Sequence, residues 1–293
     1  MKKSGWLVID KPLHVSSTQV GSIVKRTLGL KKIGHIGTLD PLATGVLTLA
    51  LEEATKAIPY YINLHKTYDF EVTFGESRTT DDKEGDVIET SFVRPTLDQI
   101  QSLLPKFTGE IEQFPPIFSA IKVNGRRSYE MARSGQTVTL ASRKITVHSL
   151  EVTQWLSPDQ CQFRMVCGSG TYVRSLGRDL AVALGTVAHI SELRRIQDGK
   201  FKIEDAISLE KLKEIAHKEE MYQYVKPIRS VLDDIPAVSV SAPDIEKLRR
   251  GQKIKSCDAF DQNLVALYDH DRLTAIATLQ DGYWHPKRVF HCK

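Results

Sequence analysis

Cysteine is scarce in this sequence, and the little there is does not pair. Cys161, Cys167, Cys257 and Cys292 show neither the two-residue spacing of a redox pair nor a Cys/His pattern that suits zinc. They read as free thiols of a reducing compartment. No run approaches the roughly 18 apolar residues that cross a membrane. The opening MKKSGWLVIDKP begins with two lysines, but Asp10 ends its apolar run too early for a secretory signal. A GxGxxG fingerprint, a P-loop, internal repeats and low-complexity tracts are all missing. Neither sign of charge dominates: 40 Lys and Arg against 36 Asp and Glu leave a net charge of +4. That permits an anionic partner without demanding one.

What is present fits a globular protein. The chain has 293 residues, 41% hydrophobic and 26% charged, enough for one large domain and a small one. Trp6-Leu7-Val8-Ile9 reads as a buried strand. Ser16 and Ser17 offer caps for a helix with Val20, Ile23, Val24 and Leu28 on one face. Residues 46–51 are rich in strand formers, and Tyr68, Phe70, Val72 and Phe74 alternate with polar residues as a half-buried strand does. RTTDDKEGD (78–86) reads as a polar turn, and Leu97, Ile100, Leu104 and Phe107 mark a helix. Residues 119–146 carry Lys122, Arg126, Arg127, Arg133, Arg143 and Lys144 against Glu130, with Gly125 and Gly135 as breaks. They read as a basic, mobile excursion. Phe163, Met165 and Cys167 alternate along a further strand. Val173, Leu176, Leu180 and Leu184 follow at helical spacing, stopped by Gly185, and another helix covers about 208–217. Pro227 and Pro236 bracket a linker. Beyond it come a helix from a Ser241 cap to Gly251 and short strands at 253–256, 264–268, 274–278 and 288–291, a small β-barrel-like module.

The stretch GHIGTLDPLATGV (34–46) reads as a glycine-rich loop with one carboxylate, Asp40, and one imidazole, His35. Asp before Pro is also a common turn initiator. Glycoside hydrolysis uses two carboxylates, and spacing selects no partner from Asp10, Glu52 and Glu53. Covalent catalysis by a lone carboxylate remains open, and it needs a nearby cation to keep the acid ionised. GSGTYVR (168–174) offers one in Arg174, which otherwise reads as a surface residue of an amphipathic helix. Tyr68 and Tyr172 are core candidates on which a flat base could also stack.

These pieces together resemble the tRNA pseudouridine synthase B family. The matching text is GWLVIDKP (5–12), GHIGTLDPLATGVL (34–47), EATK (53–56), KTY (66–68), FSAIKVNGRRSYEMARSG (118–135), GSGTYVRSLGRDL (168–180) and LRRIQDGKF (193–201). It runs in order through most of 5–201, and GTLDPLATG with GTYVR is highly specific. LRRGQKI (248–254) and the strands near it resemble the small RNA-binding barrel that often follows this catalytic domain. The chain departs at His14-Val15, where many members have a glycine and a small or apolar residue, and its C-terminal module is short.

The resemblance implies an α+β fold with a large mixed, mainly antiparallel sheet. It implies a catalytic domain over 1–232, in which 119–146 is an RNA-clamping thumb, and a small RNA-binding module over 237–293. It implies conversion of uridine to pseudouridine at position 55 in the T loop of tRNA, in the cytoplasm. No metal, organic cofactor or obligatory protein partner is expected, and the chain is expected to be a monomer. Asp40 would be the nucleophile or base, paired with Arg174. Tyr68 would stack on the flipped uracil and help remove its C5 proton. His35 would hold the base out, while Tyr172 and Leu193 would line the pocket. Lys122, Arg126, Arg127, Arg133, Arg143 and Lys144 would meet RNA phosphates, and Lys11 and Lys56 would be structural or phosphate-facing. The rival readings are a non-catalytic tRNA-binding chaperone on the same scaffold and a carboxylate glycosidase, which would need a second acid.

Overall fold

The computed structural model describes residues 4–61, 65–123, 125–256 and 263–291. Cys257 and Cys292 lie outside them, while Cys161 and Cys167 are buried free thiols. In chain order the strands of the N-terminal half are β1 (Gly5–Lys11), β2 (Ile33–Ile36), β3 (Ala43–Leu51), β4 (Lys66–Phe74), β5 (Glu76–Arg78), β6 (Val87–Thr90), β7 (Gly109–Gln113), β8 (Lys122–Val123) and β9 (Arg126–Arg127). Those after them are β10 (Arg143–Ser157), β11 (Gln160–Cys167), β12 (Ala188–Asp198), β13 (Phe201–Lys202), β14 (Val225–Lys226), β15 (Ala237–Ser239), β16 (Ile254–Lys255), β17 (Leu264–Asp269), β18 (Arg272–Gln280) and β19 (Tyr283–Val289). The α-helices are α1 (Ser17–Thr27), α2 (Leu97–Leu103), α3 (Ser128–Arg133), α4 (Val173–Ala183), α5 (Leu209–Ile215) and α6 (Ala242–Arg249).

Contacts divide the chain into two compact units. The first holds Met1–Asp40, Val46–Ile62 and Lys200–Lys293. Here Gly5–Ile9 of β1 are buried, as the apolar run Trp6–Ile9 predicts, and β14 pairs with the strand. The Trp6 indole N–H satisfies itself on the Ile228 carbonyl, so a large ring can sit in the core without a stranded donor. Ser16 caps α1 in a reciprocal box: its hydroxyl accepts from the Gln19 N–H, and the Gln19 side chain accepts from the Ser16 N–H. In the C-terminal part, five strands in the order β15-β17-β18-β19-β16 bury Leu248, Ile254, Val265, Leu267, Ala275, Ala277 and Trp284.

The second unit holds Pro41–Gly45 and Asn63–Gly199. Its part of the ten-stranded sheet runs from the start of β3 through β12, β4, β11 and β10 to β7. The β3–β12 pair is parallel and the others are antiparallel. An α+β fold with a large mixed, mainly antiparallel sheet is therefore what the chain adopts.

Several elements differ from the sequence reading. Much of GHIGTLDPLATGV is strand rather than loop: Gly34–Ile36 belong to β2 and residues 43–46 to β3, leaving 37–42 irregular. Arg143 and Lys144 are not loop either. They open the 15-residue strand β10, where Ile145 and Val147 turn inward at period two. The rest of 119–146 includes the β8–β9 hairpin and α3. The central strand β12 gives no clean alternation in sequence, because register shifts at Ile190/Glu192 and Arg195/Gln197 change its phase twice. The last strand is Tyr283–Val289 rather than 288–291, since Pro286 near its middle hides the pattern.

Candidate active site

Asp40 stands half-buried in the short link between β2 and β3. Two features hold that link. At the start of α1, the Ser17 hydroxyl donates to the Leu39 carbonyl at 2.9 Å and accepts from the Leu39 N–H at 2.8 Å. The residue before the carboxylate is thus pinned at both backbone groups. On the other side, Gly45 has φ +95, and a Cβ there would lie 2.1 Å from the Arg195 carbonyl oxygen. Only glycine lets β3 approach β12 this closely. His35 sits on β2, with Nε2 3.2 Å from the Thr38 hydroxyl.

Arg174 lies in the first turn of α4 and is 4% exposed, which removes the reading of a surface arginine. Its guanidinium donates to the Thr80 carbonyl at 2.8 Å and the Phe118 carbonyl at 2.9 Å. Its Nε lies 3.6 Å from the Asp82 carboxylate, which is itself buried. Asp82 accepts from the Thr80 hydroxyl at 2.6 Å and the Glu84 N–H at 3.1 Å. A buried charge of this kind needs a partner, and each of these two supplies the other. The polar stretch 78–86 therefore hides a buried, ion-paired carboxylate that the sequence reading passed over. Its one signal is Thr80 two residues before Asp82, a spacing at which hydroxyl and carboxylate bond locally. Beside it, Asp81 pairs with Arg178 at 2.9 Å, and burial still pushes its carboxyl above the usual range against the pull of Arg178 and Arg174.

Tyr172 precedes α4. The Gln113 side chain accepts from its N–H at 2.8 Å and donates to its carbonyl at 3.0 Å, which fixes the peptide that starts the helix. The Arg143 guanidinium stands 4.7 Å from the Tyr172 ring centroid and donates to the Gly170 carbonyl. Tyr68, on β4, is 7% exposed, and burial pushes its phenol up to about 12 while Arg195 pulls the other way. Leu193 on β12 faces Phe70 on one neighbour and Ala43 on the other. Tyr68, Tyr172, Arg174 and Leu193 thus all belong to the second unit, while His35 and Asp40 belong to the first.

The basic residues divide by environment. Lys122, Arg126, Arg127 and Arg133 are exposed, and Arg127 and Arg133 stand 6.0 and 5.8 Å from the Tyr129 ring centroid. Lys144 is paired with Glu110 at 2.9 Å. Lys11 is fully buried and donates to the Pro12 and Val15 carbonyls, and Lys56 bonds Glu53 and the Val289 carbonyl. Both lysines are structural in these contacts. Among the described residues no group of three or more His, Cys, Asp and Glu is arranged to hold a metal ion. No helix among them is long and apolar enough to cross a membrane.

Residues 25–173 match the family model described as "TruB family pseudouridylate synthase (N terminal domain)", and residues 174–238 match "tRNA pseudouridylate synthase B C-terminal domain". The chain belongs to the TruB family of pseudouridylate synthases. It is therefore an enzyme, an isomerase. It is 45% identical to tRNA pseudouridine synthase B of Rhodospirillum rubrum over 97% of this chain and 96% of that one. Against tRNA pseudouridine synthase B of Caulobacter vibrioides it is 42% identical over 98% of this chain and 96% of that one. Among solved structures, a chain of the "Cbf5-Nop10-Gar1 Complex" superposes with a TM-score of 0.72 at 27% identity, covering 98% of this chain and 85% of that one. The family text read from the sequence, GTLDPLATGV and GTYVR, coincides with the pinned Asp40 link and the buried start of α4.

Proposed function

We propose that this TruB-family chain converts uridine to pseudouridine at position 55 in the T loop of tRNA. The observation that carries this reading is the full-length likeness to proteins named tRNA pseudouridine synthase B, together with Asp40 standing in the pinned link. The reaction breaks the N1–C1′ bond, turns the uracil and forms a C5–C1′ bond. The C5 proton goes to solvent and N1 gains one, so there is no net redox change or hydrolysis.

In this reading the stacked uridine is first extruded, at about a few kcal/mol. Stacking against Tyr68, worth about 1–3 kcal/mol, offsets that cost. Asp40 then acts in one of three ways: on the sugar, on the uracil ring, or on the ribose 2′ proton. Arg174 is the cation that keeps Asp40 ionised, His35 holds the base out, and Tyr172 and Leu193 line the pocket. Lys122, Arg126, Arg127 and Arg133 meet phosphates on the T stem. Residues 237–293 serve as a further RNA-binding surface. The chain works alone in the cytoplasm.

The test is reaction of the purified chain with an unmodified tRNA transcript tritiated at uridine C5. Expected is tritium release with product at the T-loop uridine, and its loss in Asp40→Asn with tRNA affinity retained. Full turnover by Asp40→Asn would sink the catalytic assignment. Tight binding without release by the unaltered chain would instead favour a tRNA-folding role for the same basic surface.

A further inference from the structure

Strands β4 and β12 run side by side with Arg195 directly opposite Tyr68 and Asp198 directly opposite Lys66. On an unbroken strand, residues two apart share a face, so Gln197 would face the same way as Arg195. The register shift between Arg195 and Gln197 brings Asp198 round to that side instead. The outcome is a buried row of charges beside a phenol. Arg195 Nη2 lies 3.8 Å from the Asp198 carboxylate, and Lys66 Nζ lies 3.7 Å from it. Arg195 and Asp198 are both 0% exposed.

Ions this deep are costly, and a hydrophobic pair would stabilise the sheet at least as well. Their arrangement has a chemical consequence. Arg195 stands directly across the strand pair from Tyr68, and its positive charge draws the phenol toward the ionised form. A guanidinium only donates, so a phenol oxygen beside it can only accept from it, which turns the phenol's own O–H away from Arg195. Two cations on one carboxylate also leave the row net positive next to that oxygen.

We propose that Arg195 is a positioning residue for pseudouridylation: it fixes the Tyr68 hydroxyl toward the target base, and Asp198, braced by Lys66, holds Arg195 in place. The proposal rests on the reading that Tyr68 faces the flipped uracil. The groups facing the phenol are Arg195 and Asp198 from β12, Cys167 from β11 and Lys66 from its own strand. Asp198 is the anion whose removal changes the row without touching Tyr68's packing.

The experiment is a double-mutant cycle on the full chain with C5-tritiated tRNA transcript, read as single-turnover rate and tRNA affinity. Asp198→Asn is expected to slow the reaction on the order of tenfold or more, as a misplaced reacting group does. Affinity should stay within about twofold, as for a site that touches no RNA. In a Tyr68→Phe background the same substitution should cost less than about twofold. A second readout is the tyrosinate absorbance step assigned to Tyr68 by its absence in Tyr68→Phe. Losing the Asp198 anion, and with it the placement of Arg195, should move that step. Equal slowing in the Tyr68→Phe background, or an unmoved tyrosinate step, overturns the positioning role. Full-rate turnover by Tyr68→Phe alone removes Tyr68 from the reaction, and Arg195's role with it. Where Asp198→Asn does not fold, Lys66→Gln, at the 12% exposed end of the row, takes its place in the same cycle. Independence of Lys66 and Tyr68 there overturns the proposal equally.

Discussion

Gly45 and Tyr68 show how single positions set the terms for their surroundings. With φ +95 and a would-be Cβ 2.1 Å from a backbone oxygen, Gly45→Ala must strain the link and push β3 off β12. The cost is expected on the order of 2–5 kcal/mol, from φ strain plus overpacking. A drop in the thermal unfolding midpoint checks this, and an unchanged midpoint refutes the close approach. Tyr68 makes a pH prediction. Its folded value of about 12 lies above the ordinary 10, so the folded state holds the phenol proton more tightly than the unfolded state does. That contribution is fully present below about pH 10 and is lost as pH rises through 12, amounting to about 2–3 kcal/mol. The buried thiols Cys161 and Cys167, raised to about 12 and 11, add losses of their own in alkali. The informative quantity is therefore a difference. Denaturant unfolding at pH 9 and pH 11 should show the wild type losing more stability than Tyr68→Phe. Parallel losses would mean the phenol is not held in its protonated form.

At the scale of elements, helix starts hold the candidate site residues in place. The first turn of α1 grips Leu39 through Ser17, and the first turn of α4 carries Arg174, with the peptide before it clamped by Gln113. Ser17→Ala leaves a buried N–H and C=O of Leu39 without these partners, a cost of about 1–3 kcal/mol. Because Leu39 adjoins Asp40, turnover should fall more than tRNA affinity. Single-turnover rates beside filter-binding constants decide it, and an equal fall in both would place the effect in binding. The bulge in β12 is the second device of this kind, since it alone puts Asp198 on the side of Arg195.

For the molecule as a whole, the small net charge conceals a local basic surface. Lys122, Arg126, Arg127 and Arg133 are exposed within a few turns of chain, whereas Lys144 is held by Glu110, which also raises its pKa. Affinity for tRNA should fall with salt. Each of Lys122, Arg126 and Arg127 changed to Ala should reduce the log–log slope by about 0.7–0.9 if it meets a phosphate. Lys144→Ala should reduce it less, because its charge is already countered within the chain. A slope that ignores all three substitutions would move the RNA surface elsewhere.

Local text alone determined a good deal. The capped helix at Ser16, the buried strand at Trp6–Ile9, the alternation along Tyr68–Phe74 and the Asp40 and Arg174 motifs all follow from neighbours in sequence, because periodicity, caps and turns are short-range properties. Three of the five short strands after Pro236, β16, β17 and β18, follow in the same way; Ala237–Ser239 is too short a run to read as a strand, and Pro286 breaks the pattern of the last. Tertiary structure alone decided what depended on partners far along the chain. Asp82 reads as one more acid in a polar turn until Arg174, 92 positions later, buries against it. Arg195 and Asp198 read only as part of the family text LRRIQDGKF until β4 and a register shift stack them behind Tyr68. Burial is what gives these charges their meaning, and it is a property of the packed sheet rather than of any window of sequence.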